Sequence, residues 1–300
     1  MKHPIAAKAL VVLATSAFAA CGGSSPTAEA PLVVVSIFPI ADLAARMAGD
    51  ALQVRVLLPP RASPATWEAT PAQIRMLARA DGYVTVGGGL DGWLAAVEPE
   101  RPGFEHLVLT EGMKLRRSGD MAESEASGDP HVWLDPILVR DRLLPRLTDF
   151  LVSLAPDGDG PAIRTRSSEL ADTLTALDED IRSMLAQAPR RRFVATHDAW
   201  EYFAARYGLE SVGSIYERPG HEPSAQALAR LIEAARKDGV TTILAEPQLA
   251  ETGARALAEE LGAKIRVVDP LGGPNVPGRD SYTAMMRTNA RAFALALGAR

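Results

Sequence analysis

One cysteine, Cys21, is all the thiol chemistry this 300-residue chain holds, so no internal disulfide can staple its fold. An excess of basic charge is also missing. Acids outnumber bases 37 to 32, the net charge is −5, and Lys and Arg are scattered among acids. A nucleic-acid partner, which requires a basic face, is therefore not expected. The apolar run at residues 9–20 is too short for a permanent membrane-spanning helix. What is present is a hydrophobic fraction of 47%, enough to form a core, and a length that allows two domains.

Lys2 and Lys8 precede that apolar run, which gives a secretory signal with a charged start and a short hydrophobic centre. It ends Phe18-Ala19-Ala20-Cys21, followed by Gly22, Gly23, Ser24, Ser25 and Pro26. Small residues before a single cysteine and a flexible polar tether resemble a bacterial lipoprotein signal, although Phe18 stands where that pattern prefers Leu. The resemblance implies a signal peptide at 1–20, a tether at 21–31 and a lipid on Cys21. The protein then works on the periplasmic or cell-surface side, anchored by acyl chains. The alternative is an ordinary signal with a stray cysteine.

Apolar strands alternate with amphipathic helices along the rest of the chain. Strands are expected at residues 33–37, 52–56 and 83–86, and helices at 41–47 and from Thr70, whose hydroxyl, Pro71 and Gln73 form a capping signature. Ile74, Leu77 and Ala78 are expected to form the buried stripe of that second helix, and Trp93 and Leu94 to begin another. Residues 119–129 are acidic and aperiodic and read as a loop. A helix at 141–154 carries Leu143, Leu144, Leu147 and Leu151 on one face. Residues 163–186 form the longest periodic segment, with Ile163, Leu170, Leu174, Leu177, Ile181 and Leu185 at helical spacing. Its length suits a rod between two lobes. In the second half, strands are expected at 193–196, 242–245 and 265–268. Helices lie between them, two of them capped by Ser224 and Thr252, and a last helix covers 281–297. The alternation predicts an α/β fold with parallel sheets flanked by helices.

Three strands of the second half run straight into a residue with ligand chemistry: His197, Glu246 and Asp269. In open parallel sheets ligands bind beyond the carboxyl ends of the strands, so these side chains should share one crevice. His131, in Asp129-Pro130-His131-Val132-Trp133-Leu134-Asp135-Pro136, comes from a loop stiffened by proline on both sides and could face them. Two imidazoles and a carboxylate suit a divalent transition ion, zinc above all. Plainer readings stay open: His197 as a buried histidine held by a carbonyl, and Asp269 as a cap.

Several motifs in order carry a wider resemblance: Ser36-Ile37-Phe38-Pro39, Pro59-Pro60 with Trp67-Glu68 and Thr70-Pro71, Asp129 to Pro136, and Ala195-Thr196-His197-Asp198. Gly220-His221-Glu222-Pro223-Ser224, Glu246-Pro247-Gln248 and Asp269-Pro270-Leu271 complete the set. Nearly everything after the tether resembles the zinc- and manganese-type substrate-binding receptors of bacterial ABC importers. The resemblance implies two α/β lobes joined by one long backbone helix, with a metal cleft between them. The lobes would span 32–157 and 189–300, with the linking helix in 158–188. It implies no enzymatic activity, a monomer, and a permease partner in the inner membrane. Its metal ligands map onto His131, His197 and Asp269. A histidine at 197, where manganese-type members tend to carry a carboxylate, points to Zn2+ rather than Mn2+.

One departure bears on the site. The family's usual first histidine falls at Ala65, which has no donor atom. Water or Glu68 would have to complete the coordination. A histidine-rich loop is also lacking, and the acidic segment 119–129 stands in its place. His221 reads as part of a turn and His106 as a surface residue. Two other functions are compatible with the residues. A zinc hydrolase would use three ligands and a water, although no recognisable motif supplies its general base. A receptor homologue without metal could serve another ligand or adhesion.

Overall fold

The computed structural model describes residues 29–96, 102–116, 128–216 and 223–299. The signal, Cys21, most of the acidic loop and His221 lie outside the described residues. Val33, Val34 and Val35 lose all contact with solvent, as expected of a parallel strand covered on both faces. They form β1 (Leu32–Val35), followed by α1 (Phe38–Ala48), β2 (Gln53–Val56), α2 (Pro71–Arg79), β3 (Gly82–Thr85) and β4 (Glu105–Val108). The four strands make one parallel sheet in the order β2-β1-β3-β4. A short helix α3 (Pro136–Leu138), a π-helical turn at Val139–Leu143 and α4 (Leu144–Leu154) then lead into α5 (Gly160–Ala186).

The second lobe comprises β5 (Arg192–His197), α6 (Glu201–Tyr207), β6 (Glu210–Tyr216), α7 (Ala225–Lys237), β7 (Thr242–Ala245), α8 (Glu251–Leu261), β8 (Lys264–Val267) and α9 (Tyr282–Ala296). Its parallel sheet has the order β6-β5-β7-β8. Among the described residues no helix is long and apolar enough to cross a membrane.

Local chemistry explains most boundaries. Thr70 and Gln73 form the reciprocal capping box at α2, and Ser224 and Ser281 accept from the backbones of Ala227 and Ala284 at α7 and α9. Gly208 and Gly262 end α6 and α8 in the left-handed conformation that costs glycine least. Helix α1 begins earlier than its periodicity predicts, at Phe38, because Pro39 fits a first helical turn.

Other expectations fail for reasons of packing. In α2 only Leu77 is buried; Ile74 is 39% exposed and Ala78 is exposed. Its one fully buried residue, Leu77, packs beside Val34, Leu57 and Tyr83, with Met76 partly buried against the same cluster. Trp93 and Leu94 lie in a short 3-10 turn, Gly92–Ala96, not an α-helix. Thr252 lies inside α8, whose cap position is Ala250. Two strands carry no clear sequence pattern. β4 exposes Glu105 and His106 at a sheet edge, and β6 shifts register against β5.

Helix α5 runs for 27 residues, about 40 Å at the standard helical rise. Ile163, Leu170, Leu174, Leu177, Ile181 and Leu185 are all buried. It packs on α1, α4 and α9, and one hydrophobic core runs from Val33 through Leu174 to Phe293. Asp178 is also buried on this helix, at 6% exposure. Arg206 of α6 grips it with two hydrogen bonds of 2.8 and 2.9 Å and lies 3.8 Å from Asp135. Burial pushes the Asp178 carboxyl up, but the Arg206 hydrogen bonds and charge outweigh it and hold the group below its ordinary value.

Arg206→Ala should therefore cost about 2 kcal/mol of unfolding free energy at neutral pH, measured by urea denaturation. The folded carboxyl titrates below its unfolded value, so this contribution is complete above the unfolded value and is lost as pH falls through the folded one. The gap between parent and variant should close in acid; a gap that stays constant would contradict the assignment.

Candidate metal centre

The loop after the acidic segment is set by its own carboxylates. Asp129 Oδ1 accepts from the backbone N–H of His131 at 2.9 Å and lies 2.7 Å from its Nδ1. Asp135 caps the next helix through the N–H groups of Ile137 and Leu138. Between them Trp133 is fully buried. Its ring lies 5.1 Å from that of His131, its indole N–H donates to the Pro270 carbonyl at 2.6 Å, and its own carbonyl accepts from the Tyr282 hydroxyl at 2.7 Å. Further ties cross between lobes: Tyr282 N–H to Asp42 at 2.9 Å, and Arg116 N–H to the Tyr202 hydroxyl at 2.9 Å.

His197 ends β5 and Glu246 follows β7, its neighbour in the sheet. Glu246 is 4% exposed. Its Oε2 lies 3.0 Å from His197 Nδ1, and its Oε1 accepts from the Trp200 indole N–H at 3.1 Å. Burial disfavours the charged His197 ring, but the Glu246 charge and hydrogen bond, with Asp198 and Asp129, raise its pKa above the ordinary imidazole value.

The two imidazoles meet, with ring centroids 5.0 Å apart at 70°. Each Nδ1 faces a carboxylate, which fixes the tautomer and leaves Nε2 as the donor atom. A carboxylate behind each histidine is the usual support of a metal ligand. Asp129 Oδ2, Thr196 Oγ1 and Gln248 Oε1 are buried with no hydrogen-bond partner among the described residues. Asp129 belongs to the His131 loop, Thr196 to β5 and Gln248 to the segment after β7. These features fit a divalent ion held by nitrogen donors.

Asp269, 2% exposed, is engaged differently. Its Oδ1 accepts from Gln248 Nε2 at 2.7 Å and from the N–H groups of Leu271 and Gly272 at 3.0 and 2.9 Å. Its Oδ2 accepts from Arg279 at 3.1 Å. The Asn289 side chain pairs with both backbone polar groups of Asp269, at 2.8 Å each. Among the described residues no set of three or more His, Cys, Asp or Glu side chains is arranged to hold one ion. Glu68 and Ala65 are both exposed in the segment between β2 and α2. His106 is exposed on β4, with its Nε2 2.9 Å from the Thr85 hydroxyl.

Sequence reasoning placed Glu246 in the crevice without seeing that it backs His197, and it overlooked Asp129, Arg279 and Asn289 as site residues. Only Asp129 had a local signal, an acid two residues before the histidine it orients.

The family described as zinc-uptake complex component A, periplasmic, matches residues 33–296. The high-affinity zinc uptake system protein ZnuA of Bacillus subtilis is 30% identical over 296 residues, covering 92% of each chain. The zinc-binding lipoprotein AdcA of Streptococcus pneumoniae is 26% identical, covering 87% of this chain and 54% of that protein. A crystal structure of ZnuA superimposes with a TM-score of 0.80 at 28% identity, over 90% of this chain and all of that one.

Nuclear magnetic resonance titration of the metal-free protein should find the His197 ring above the ordinary imidazole value, and Glu246→Gln should lower it. The folded value exceeds the unfolded one, so the pair stabilises the fold fully below the unfolded value and its contribution fades as pH rises through the folded value. An unchanged His197 titration in the variant would remove Glu246 from this role.

Proposed function

The chain belongs to the periplasmic zinc-uptake component A family, a family of solute-binding receptors and not of enzymes, and from that premise we propose that it captures zinc outside the cytoplasm and delivers it to an ABC permease in the inner membrane. The meeting of His131 and His197, each backed by a carboxylate, is the observation that supports this reading most directly. Their Nε2 atoms would hold the ion, with Asp269 as the third protein ligand. Water would complete the shell, or Glu68 if its loop folds inward. Nitrogen donors favour zinc over manganese, which prefers oxygen. In this reading Cys21 bears the lipid that tethers the protein to a membrane, and the protein acts as a monomer.

Residues 32–157 and 189–300 act as the two lobes, with the helix in 158–188 as their strut. Their relative motion is small in this reading. The shared core and the hydrogen bonds of Trp133 and Tyr282 across the divide oppose a wide hinge. Release then follows from local rearrangement that spoils the coordination.

Calorimetric titration of the metal-stripped mature chain should show one zinc per molecule. His131→Ala and His197→Ala should each weaken it by about 100-fold or more, since even outer partners of a metal ligand contribute about 10- to 100-fold. Zinc binding indifferent to both substitutions would refute the site. Ala65→His should restore the missing donor and tighten zinc binding by about tenfold or more. Equal or weaker binding would show that position 65 does not face the ion.

A further inference from the structure

Asp269 is the one expected ligand whose charge is already taken. Its Oδ1 accepts three hydrogen bonds, from Gln248, Leu271 and Gly272, so its lone pairs are spent. Oδ2 is the oxygen left for a cation, and Arg279 Nη1 lies on it at 3.1 Å. The carboxylate is 3% exposed and the guanidinium side chain 22%, so the pair is only weakly screened by water.

The loop between β8 and α9 is folded to deliver this arginine. Gly273 N–H donates to the Arg279 carbonyl at 3.1 Å, and Arg279 N–H donates to the Val276 carbonyl at 2.9 Å. Gly272 has φ of 62°, and a Cβ there would lie 2.6 Å from the Arg279 carbonyl oxygen, so only glycine permits the close return. Thr288 of α9 anchors the turn from outside through the Gly278 carbonyl at 2.7 Å.

We propose that Arg279 is a resident counter-ion of the metal centre: its guanidinium occupies Asp269 when no metal is bound, and zinc must displace it from Oδ2 to recruit Asp269 as a ligand. The inference rests on the zinc-receptor reading of this same site. Asp129 and Glu246 each lie against one imidazole, Asp269 is 2% exposed, and burying a carboxylate without a cation is costly. A guanidinium supplies that cation and stays charged at any pH the protein meets. It therefore competes with the metal at every pH, lowers the affinity of the empty receptor and takes back Asp269 as the ion leaves. Arg279 thus sets affinity without touching the ion.

The test is calorimetric zinc titration of the full mature chain and its Arg279→Gln variant, with zinc-induced shifts in melting temperature recorded beside it. Arg279→Gln should bind zinc about ten- to a hundredfold more tightly, the factor that release of one charged hydrogen bond allows, and should show a larger zinc-induced shift. Arg279→Met, which keeps the aliphatic stem, is read alongside as a second uncharged variant and should tighten binding likewise. In an Asp269→Asn background the effect of Arg279→Gln should vanish, because its target is gone. Unchanged or weaker zinc binding in both Arg279 variants, with His131→Ala still weakening it strongly, overturns the inference and leaves the receptor reading intact. Zinc bound by neither the parent nor any Arg279 variant overturns both.

Discussion

Trp133 is the fixed point between the halves of this molecule. Its indole N–H reaches Pro270 in the second lobe, its carbonyl receives the Tyr282 hydroxyl from the start of α9, and its ring backs His131. All of this is dry: Trp133 and Tyr282 are fully buried. In such surroundings a hydrogen bond is hard to break without leaving an orphaned polar group behind. The position of His131 opposite His197 is therefore a property of the lobe–lobe contact and not of either lobe alone.

The long helix α5 extends the same constraint. Its apolar stripe joins the two sheets through one continuous core, and Asp178 on its buried side is reached by Arg206 next to the site. In the proposed reading, a receptor built this way resists opening like a hinge, because that would disrupt its shared core. Control over an ion must then come from side chains and short loops near it. The candidate metal centre has such parts. Asp129 and Glu246 orient the imidazoles, Asn289 clamps the backbone of Asp269, and Arg279 pairs with the Asp269 carboxylate.

Buried carboxylates play opposite roles in this centre according to their partners. Glu246 beside His197 stabilises a positive ring, whereas Asp269 beside Arg279 has its charge consumed by a neighbour that never loses a proton. Affinity in such a site depends on how many negative charges remain available to an incoming cation. In the proposed centre that number is set by Arg279 on the β8–α9 loop, outside the nitrogen donor set.

Much of the scaffold was written in the order of the residues. The six apolar positions of α5, the caps at Thr70 and Ser224, and the glycine stops of α6 and α8 depend on neighbours a few residues away, so periodicity and capping chemistry reveal them. The placement of His197 and Glu246 at strand ends follows from the same local pattern. What sequence could not decide was who faces whom. Glu246 meets His197 across 49 residues and Trp133 meets Pro270 across 137. Arg279 returns to Asp269 only because Gly272 allows the loop to double back. Such pairings arise from the packing of sheets and helices, which no spacing rule along the chain encodes. The sequence alone determined most of the elements and the candidate donors, because both depend on near neighbours, and the tertiary structure alone decided which of those donors are paired, oriented or already neutralised.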